Sequence, residues 1–532
     1  MNVHSRVGVT AHVDTFARDR LPARSAWPDL LDAGLSYPDR LNAADALLAG
    51  GAAGAPCVHG DGFVWSYEET RERAGRVARV LVEEMGLVPG NRVLLHGPNA
   101  PALIACWLGI LRAGGIVVAT MPLLRAGELV KVIAKAQVTH ALVDDALGAE
   151  VETARETAPV LASVRPFSAL DGRDGAFESA PTGADDVAII AFTSGTTGQP
   201  KGCVHMHRDL LATCDTFGRH ILRTEPDEVF SGTPPLAFTF GLGGHVLFPL
   251  RFGASTAPCA KPGPDATLEA IGRHGITTLF TAPTGYRALL GKAAPGALDP
   301  LSVCVSAGET LPAGVSDAWF ERTGVRIIDG IGSTEMLHIF IASRPEDARA
   351  GSTGTVVPGY EARIVDDAMN DLAPGEIGRL AVRGPTGCRY LDDPRQSAYV
   401  VDGWNLTGDA FRMDEHGYFW FQARTDDMIV SAGYNISGAE VEAALLDHPA
   451  VGECAVVASP DEERGHVVKA FVVLAPGFSG DPALVADLQA HVKARIAPYK
   501  YPRRIEFLDA LPRTPTGKVQ RTHLRAMDRM AP

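Results

Sequence analysis

The chain has 532 residues, of which 46% are hydrophobic and 21% charged, and its 49 Lys and Arg against 63 Asp and Glu leave a formal charge of −14. This is ordinary globular composition, too long for one simple core, and it excludes a disordered or fibrous chain. The acidic balance also argues against a nucleic-acid partner, which requires phosphates to be neutralised along a basic face; a local basic pocket for an anionic ligand stays open.

Apolar periodicity predicts a helix over 67–84, a strand over 92–96, a helix over 102–113 and a strand over 115–120. A helix over 126–136 and a strand over 140–144 follow. The pattern resumes with a helix over 204–217, a strand over 227–231, a helix over 268–274 and strands over 277–281 and 301–306. Strands separated by helices of this length imply a mostly parallel α/β sheet. The most apolar stretch, 106–124, is broken by Arg112 and by Gly114-Gly115. It reads as a buried helix followed by a strand, so no membrane span is expected.

Beyond about residue 350, short strands between turn signals (360–366, 378–382, 417–421) predict a β-rich subdomain. From residue 438 the order is helix (439–448), two strands (453–458, 467–474), helix (482–496) and strand (505–508). That is a compact α+β unit of about 100 residues, with its boundary near 424–427. The eight cysteines are scattered and contain no CxxC pair, so neither zinc-ligand spacing nor a redox motif is present. They read as reduced, mostly buried thiols of a cytoplasmic protein. Residues 1–24 lack the apolar core of a signal peptide.

Five motifs carry chemistry. The first is Thr193-Ser194-Gly195-Thr196-Thr197-Gly198-Gln199-Pro200-Lys201-Gly202, after an apolar strand at 187–192 and before a predicted helix. Glycines let the backbone curl with its N–H groups exposed, hydroxyls add donors and Lys201 adds charge, as a phosphate-wrapping loop requires. It does not fit the Walker A pattern. The second, Asp329-Gly330-Ile331-Gly332-Ser333-Thr334-Glu335, presents one carboxylate on a glycine-relaxed turn. Such a carboxylate suits Mg²⁺, which takes one or two carboxylates together with phosphate oxygens. The third is Thr407-Gly408-Asp409; the fourth runs from Ala423-Arg424-Thr425-Asp426-Asp427 into Ser431-Ala432-Gly433-Tyr434-Asn435. The fifth, Pro512-Arg513-Thr514-Pro515-Thr516-Gly517-Lys518, sets a lysine on a Pro/Gly-shaped loop.

In this order and spacing, the five motifs resemble the adenylate-forming superfamily of acyl-CoA synthetases, carrier-protein adenylation domains and luciferases, over about residues 47–521. The resemblance implies an α/β fold: a large N-terminal domain (1–425) with two parallel-type α/β sheets and a small β-barrel subdomain, then a small mobile α+β C-terminal domain (426–532). It implies that Thr193, Ser194, Gly195, Thr196, Thr197 and Lys201 hold the β- and γ-phosphates of ATP, with Thr196 and Glu335 at the Mg²⁺. Thr334 would lie beside the α-phosphate. Ala307, Gly308 and Glu309, together with Asp329 and Gly330, would bind adenine, and Asp409 and Arg424 would clamp the ribose. Lys518 matches the catalytic lysine, Asp426 the hinge, and Gly433 and Tyr434 the thiol tunnel. The chain departs from many members at Asn435, where they carry arginine.

The acid pocket is expected from 236–250 and 331–339, with Ala237, Phe238, Phe240, Gly241, Ile331, Gly332 and His338 as its lining. The first segment contains no Asp to pair an α-ammonium, which counts against an ordinary amino acid, and its aromatic rings suit a flat, small ring. Residues 329–340 and 431–436 resemble the benzoate-CoA ligase branch, most of all its 2-aminobenzoate (anthranilate) ligases. The expected reaction joins a small aryl carboxylic acid to coenzyme A by way of an acyl-AMP, with ATP consumed and Mg²⁺ required. A free-standing carrier protein as thiol donor and a non-catalytic nucleotide-binding protein are the alternatives. A monomer or homodimer is expected, with no membrane partner.

Overall fold

Strands in the first half form where β-branched and leucine-rich runs can be buried on both faces. The run Arg92–His96 is buried at every position, and so is His140–Val143; sequences of this kind pair in parallel and are covered by helices. The computed structural model describes residues 9–193, 200–261, 263–424, 427, 429–431, 434–461, 465–496, 500–514 and 519–530.

A six-stranded sheet has the order Ser163–Pro166, His140–Val143, Arg92–His96, Ile116–Thr120, Val187–Thr193, Lys201–Met206. Its pairs are parallel except the last. The helix Pro101–Arg112 is buried from Leu103 onward and leads into Ile116–Thr120, as the apolar stretch 106–124 suggests. Arg112 is tolerated there because every nitrogen of its guanidinium has a partner. It donates to the carbonyls of Arg71 (2.8 Å) and Phe177 (2.5 Å) and to Ser179 Oγ (2.8 Å), and meets Asp45 at 3.2 Å. Among the described residues no helix is long and apolar enough to cross a membrane.

A nine-stranded sheet runs Thr355–Val356, Ile339–Ala342, Ile327–Gly332, Val303–Ser306, Thr278–Thr281, Val229–Gly232, Ser255–Thr256, Pro56–Gly60, Phe63–Ser66. It is parallel through the middle and antiparallel at both ends. A third sheet contains Glu361–Val365, Ile377–Arg383, Trp404–Met413, Val400–Val401 and Phe419–Arg424. Two compact units result. The first holds Met1–Leu311, Val315–Ala362 and Val382–Asn405; the second holds Pro312–Gly314, Arg363–Ala381 and Leu406–Pro532.

In the second unit, Val451–Asp461 and Gly465–Leu474 pair antiparallel and Arg504–Phe507 adds in parallel. Helices Gly438–Leu446 and Pro482–Arg495 bury Val441, Leu445, Leu488 and Val492 in the core that also takes Val456, Val468, Ala470 and Val472. The helix Arg521–Met530 closes the other face, with Leu524 packed among Ala455, Val457, Phe471 and Leu511. Mixed α/β architecture with parallel sheets and a C-terminal α+β region is what the sequence predicts.

One element differs. Residues 204–217 are not one helix: Lys201–Met206 is a strand and the helix begins with His207–Thr213. Residues 194–199 therefore connect two antiparallel strands, paired from Val187↔Met206 to Thr193↔Lys201 with a register shift between Val187 and Ile189. Gly202, Cys203, Val204, His205 and Met206 are all buried, and tertiary pairing overrides the helical periodicity there. Asp209 marks the true helix start, its carboxylate accepting from the Met206 N–H at 2.9 Å.

Candidate active site

Thr193 ends one strand of the hairpin and Lys201 begins the other. Ser194, Gly195, Thr196 and Thr197 lie outside the described residues. Lys201 Nζ donates to Tyr390 OH at 2.8 Å and lies 3.3 Å from Glu335 Oε1. The Tyr390 hydroxyl donates to that same carboxylate oxygen at 2.5 Å. Glu335 is 7% exposed and Tyr390 1%, so the ammonium and carboxylate face each other in a largely dry place, where charge-assisted bonds are strongest. Burial, then the neighbouring Glu335 carboxylate, drives the Tyr390 phenol far above its usual range. It stays protonated and acts as a donor.

Tyr390 belongs to none of the five motifs. It comes from the far end of the first unit, where residues 389–391 lie alongside the second hairpin strand: the Val204 N–H donates to the Arg389 carbonyl (2.8 Å) and the Leu391 N–H to the Gly202 carbonyl (2.9 Å). Beneath it, Arg389 and Asp209 form a fully buried ion pair at 2.7 Å. Burial pushes the Asp209 carboxyl up, but Arg389, Arg208 and the Met206 N–H outweigh this and hold it below the ordinary carboxylate value.

Glu335 sits in a tight turn between strands Ile327–Gly332 and Ile339–Ala342. The Thr334 carbonyl accepts from the Leu337 N–H (3.2 Å) and from His205 Nε2 (2.7 Å), which fixes the proton of that ring on Nε2. Leu337, fully buried, has φ +72°. A branched side chain is rare in the left-handed region and persists only where packing over-determines it. The turn is therefore held in one shape, with Glu335 and Thr334 at its head. Among the described residues no group of three or more His, Cys, Asp or Glu could cage a metal. A lone buried carboxylate does fit Mg²⁺ held jointly with phosphate oxygens and water.

Ser306 and Asp329 are cross-strand partners in the nine-stranded sheet. Ala307, Gly308 and Glu309 follow the end of Val303–Ser306, with Gly308 at φ +89°. Burial pushes the Asp329 carboxyl up to about 7, although the Gly330 N–H and the Ser306 hydroxyl pull it back. Gly330 pairs with Ala342 and is buried.

The segment after strand Val229–Gly232 carries Ala237, Phe238 and Phe240, each half-buried, and the buried Gly241. His338 is fully buried among rings: Phe248 at 4.7 Å, Phe217 at 5.3 Å, Phe240 at 5.8 Å and Phe280 at 6.4 Å between centroids. Burial pushes its imidazole down to about 3, with only the Phe240 backbone pulling the other way, and neither ring nitrogen has a well-formed hydrogen bond. It is a neutral, apolar-caged imidazole. The glycines nearby serve close approach. A Cβ at Gly243 would stand 2.4 Å from His338 Nε2, and one at Gly244 2.7 Å from the Phe280 ring. Ile331 pairs with Ile341, and Gly332 with Ile339.

In the second unit, Asp409 and Arg424 are cross-strand partners, and Arg424 Nη1 donates to Asp409 Oδ1 at 2.8 Å and to the Thr407 carbonyl at 3.1 Å. Gly408 has φ +76°, and a Cβ there would lie 2.8 Å from Arg424 Nη2. The glycine between Thr407 and Asp409 takes the left-handed backbone conformation and leaves room for the guanidinium beside it. Tyr434 opens the strand Tyr434–Ile436. Asp426, Gly433 and Lys518 lie outside the described residues. The base of the loop that carries Lys518 is described: Arg513 pairs with Val519, and the Gln520 N–H donates to the Pro512 carbonyl at 2.8 Å.

Comparison with known proteins identifies the family. A family model described as AMP-binding enzyme matches residues 48–389, and one described as AMP-binding enzyme C-terminal domain matches 440–518. The benzoate–CoA ligase of Thauera aromatica is 37% identical, over 92% of this chain and 97% of its own. The crystal structure of the anthranilate CoA ligase AuaEII with anthranoyl-AMP superposes with a TM-score of 0.89 at 33% identity, covering 94% of this chain and 99% of that one. A benzoate CoA ligase from Burkholderia xenovorans LB400 gives 0.83 at 34% identity, covering 91% and 100%. The motifs, the fold and these matches together make the chain a member of the AMP-binding, adenylate-forming enzyme family.

Proposed function

We propose that the protein is an AMP-forming aryl-acid–CoA ligase with 2-aminobenzoate as its preferred acid. The observation that carries this reading is the buried Lys201–Tyr390–Glu335 cluster at the foot of the 194–199 loop. The ring contact between Phe240 and His338, with Phe238 two residues before Phe240 and no acidic side chain in 236–250, supports an aryl acid. Relatives that are benzoate and anthranilate CoA ligases support the same class.

A carboxylate is a poor electrophile because its oxygen is a poor leaving group. In the proposed reaction one carboxylate oxygen attacks the α-phosphorus of ATP, the bond to the β-phosphate oxygen breaks, and acyl-AMP and pyrophosphate form. The nucleophile is already ionised, so no general base is needed; the obstacle is repulsion between anions. Thr193–Thr197 and Lys201 draw off charge on the β- and γ-phosphates, and Lys518 offsets it at the α-phosphate and the incoming carboxylate. Mg²⁺, held by Glu335 with Thr196 nearby, supplies further neutralisation of phosphate charge when bound. Thr334 lies beside the α-phosphate. Ala307, Gly308, Glu309, Asp329 and Gly330 hold adenine, and Asp409 and Arg424 the ribose. The CoA thiol, reaching in past Gly433 and Tyr434, then attacks the acyl carbon. The acyl–phosphate bond breaks, AMP leaves and the thiol proton goes to solvent. The two steps place different demands on Lys518, so the C-terminal domain (426–532) swings about Asp426 relative to residues 1–425 between them. The enzyme works in the cytoplasm as a monomer or homodimer.

The test is pyrophosphate release with ATP and Mg²⁺ against benzoate, 2-aminobenzoate, 2-hydroxybenzoate, a medium-chain fatty acid and phenylalanine, with and without CoA, products being weighed by mass spectrometry. An aryl-CoA mass, highest for 2-aminobenzoate, is expected. Aryl-AMP alone, with no stimulation by CoA, would shift the acceptor to a carrier protein; activity on the fatty acid alone would overturn the aryl reading.

A further inference from the structure

The segment that carries Ala237, Phe238, Phe240 and Gly241 is internally braced. The Phe238 N–H donates to the Pro235 carbonyl (3.0 Å) and the Leu242 N–H to the Phe238 carbonyl (2.8 Å). What ties it to the other sheet of the first unit is the side chain of Asn99, between the strand Arg92–His96 and the helix Pro101–Arg112. Asn99 is 5% exposed. Its Oδ1 accepts from the Leu236 N–H at 2.8 Å, and its Nδ2 donates to the Pro234 carbonyl at 2.9 Å and lies 3.1 Å from His245 Nε2. The amide orientation is chemically fixed, because a backbone N–H faces one end and a carbonyl the other. His245 is itself fully buried, and its Nε2 also lies 3.2 Å from the Pro234 carbonyl, so the three groups close on one another.

We propose that Asn99 is a positioning residue for the acid pocket: reaching across from the six-stranded sheet, it grips Pro234, Leu236 and His245 and so sets where Phe238 and Phe240 stand. This rests on the aryl-acid reading of that pocket. Asn99 touches no reacting group; it acts through a loop whose Leu236 N–H and Pro234 carbonyl lose these partners once the amide is gone. Substituting Asn99→Ala frees the loop from the opposite sheet. Asn99→Asp keeps the acceptor for Leu236 but loses the donor to Pro234.

Pyrophosphate release by the wild type, Asn99→Ala and Asn99→Asp, with acid and ATP varied separately, tests this. In the Ala variant KM for the aryl acid is expected to rise about tenfold or more, since displacements of about 1 Å in a positioning element have effects of that size. KM for ATP should stay within about twofold, because the ATP-holding residues lie on other segments. The ratio of rates on benzoate and 2-aminobenzoate should also shift, since the pocket wall moves and the nucleotide does not. The Asp variant, nearly isosteric, should fall between and serves in place of Ala should the latter fail to fold. Parallel rises in both KM values, or an unchanged acid KM and unchanged ratio in a folded variant, would overturn the proposal. Should the wild type release no pyrophosphate with any aryl acid, the functional reading fails instead, and the KM split is read with the acid it does accept.

Discussion

The Lys201–Tyr390–Glu335 cluster and the Asp409–Arg424 pair both join a cation to a carboxylate, yet they are built in opposite ways. The first is dry: Tyr390 and Glu335 are almost fully buried, and a second ion pair, Arg389–Asp209, lies fully buried beneath them. The second is wet on one side: Asp409 is buried, but half of the Arg424 side chain is exposed. In the dry region, side chains from distant parts of the chain fix one another, and removing one strands a charge. In the wet region, strand register and one glycine set the geometry, and water screens the charges. Packing therefore holds the Lys201–Tyr390–Glu335 cluster, while backbone pairing holds the Asp409–Arg424 pair.

The largest expected effect concerns neither pair. Lys518→Ala should abolish acyl-AMP formation, by on the order of a hundredfold to a thousandfold for loss of one transition-state charge contact, while leaving thioester formation from supplied acyl-AMP largely intact. Measuring the two half-reactions separately checks it; equal loss of both would sink the two-state assignment.

Next come tests of the dry region. Glu335→Gln should lower pyrophosphate release by about a hundredfold and raise the Mg²⁺ concentration needed for half-maximal rate. Tyr390→Phe, which removes one of the partners of Glu335, should lose about tenfold, in keeping with a single charge-assisted bond. A Tyr390→Phe enzyme as active as the wild type would show that the cluster is not pre-organised by the phenol.

Asp209→Asn should cost about 3–5 kcal/mol of stability by denaturant melting, since it leaves Arg389 buried and unpaired. The wild-type contribution also has a sign in pH. The folded carboxyl lies below its ordinary value, so its stabilisation is present above the unfolded value and is lost as pH falls through the folded one. Arg424→Lys should change stability by only about 0–1 kcal/mol and raise KM for ATP several-fold, an effect that added salt diminishes. A loss as large as that of Asp209→Asn would erase the contrast between dry and wet regions.

Asp329 gives a test by pH alone. Its carboxyl is raised from 3.8 to about 7, so the folded state favours the protonated form. The associated stability is fully present below the unfolded value and is lost as pH rises through about 7. Wild type should therefore lose melting temperature relative to Asp329→Asn over this range, and parallel curves would show that the carboxyl is not desolvated.

Much of this was legible in order along the chain. Local patterns fix local structure, so most strands, the helices flanking them, the buried run through Arg112 and the C-terminal α+β region follow from periodicity and turn residues. Glycine- and hydroxyl-rich loops advertise phosphate chemistry because that chemistry uses the backbone itself, and the order of the motifs points to the enzyme family. The sequence could not show that 201–206 is a strand, since its argument for extension is tertiary: the partners 187–193 and 389–391. It gave no sign of Tyr390, which is 55 residues from Glu335 and 189 from Lys201 along the chain, nor of Asn99, which reaches 137 residues to Leu236. Nor could it tell that His338 sits in an aromatic cage that strips it of charge. Propensity and motif are properties of neighbours in sequence, whereas dryness, ion pairing and pocket position depend on which distant side chains share a volume, and only the tertiary structure decides that.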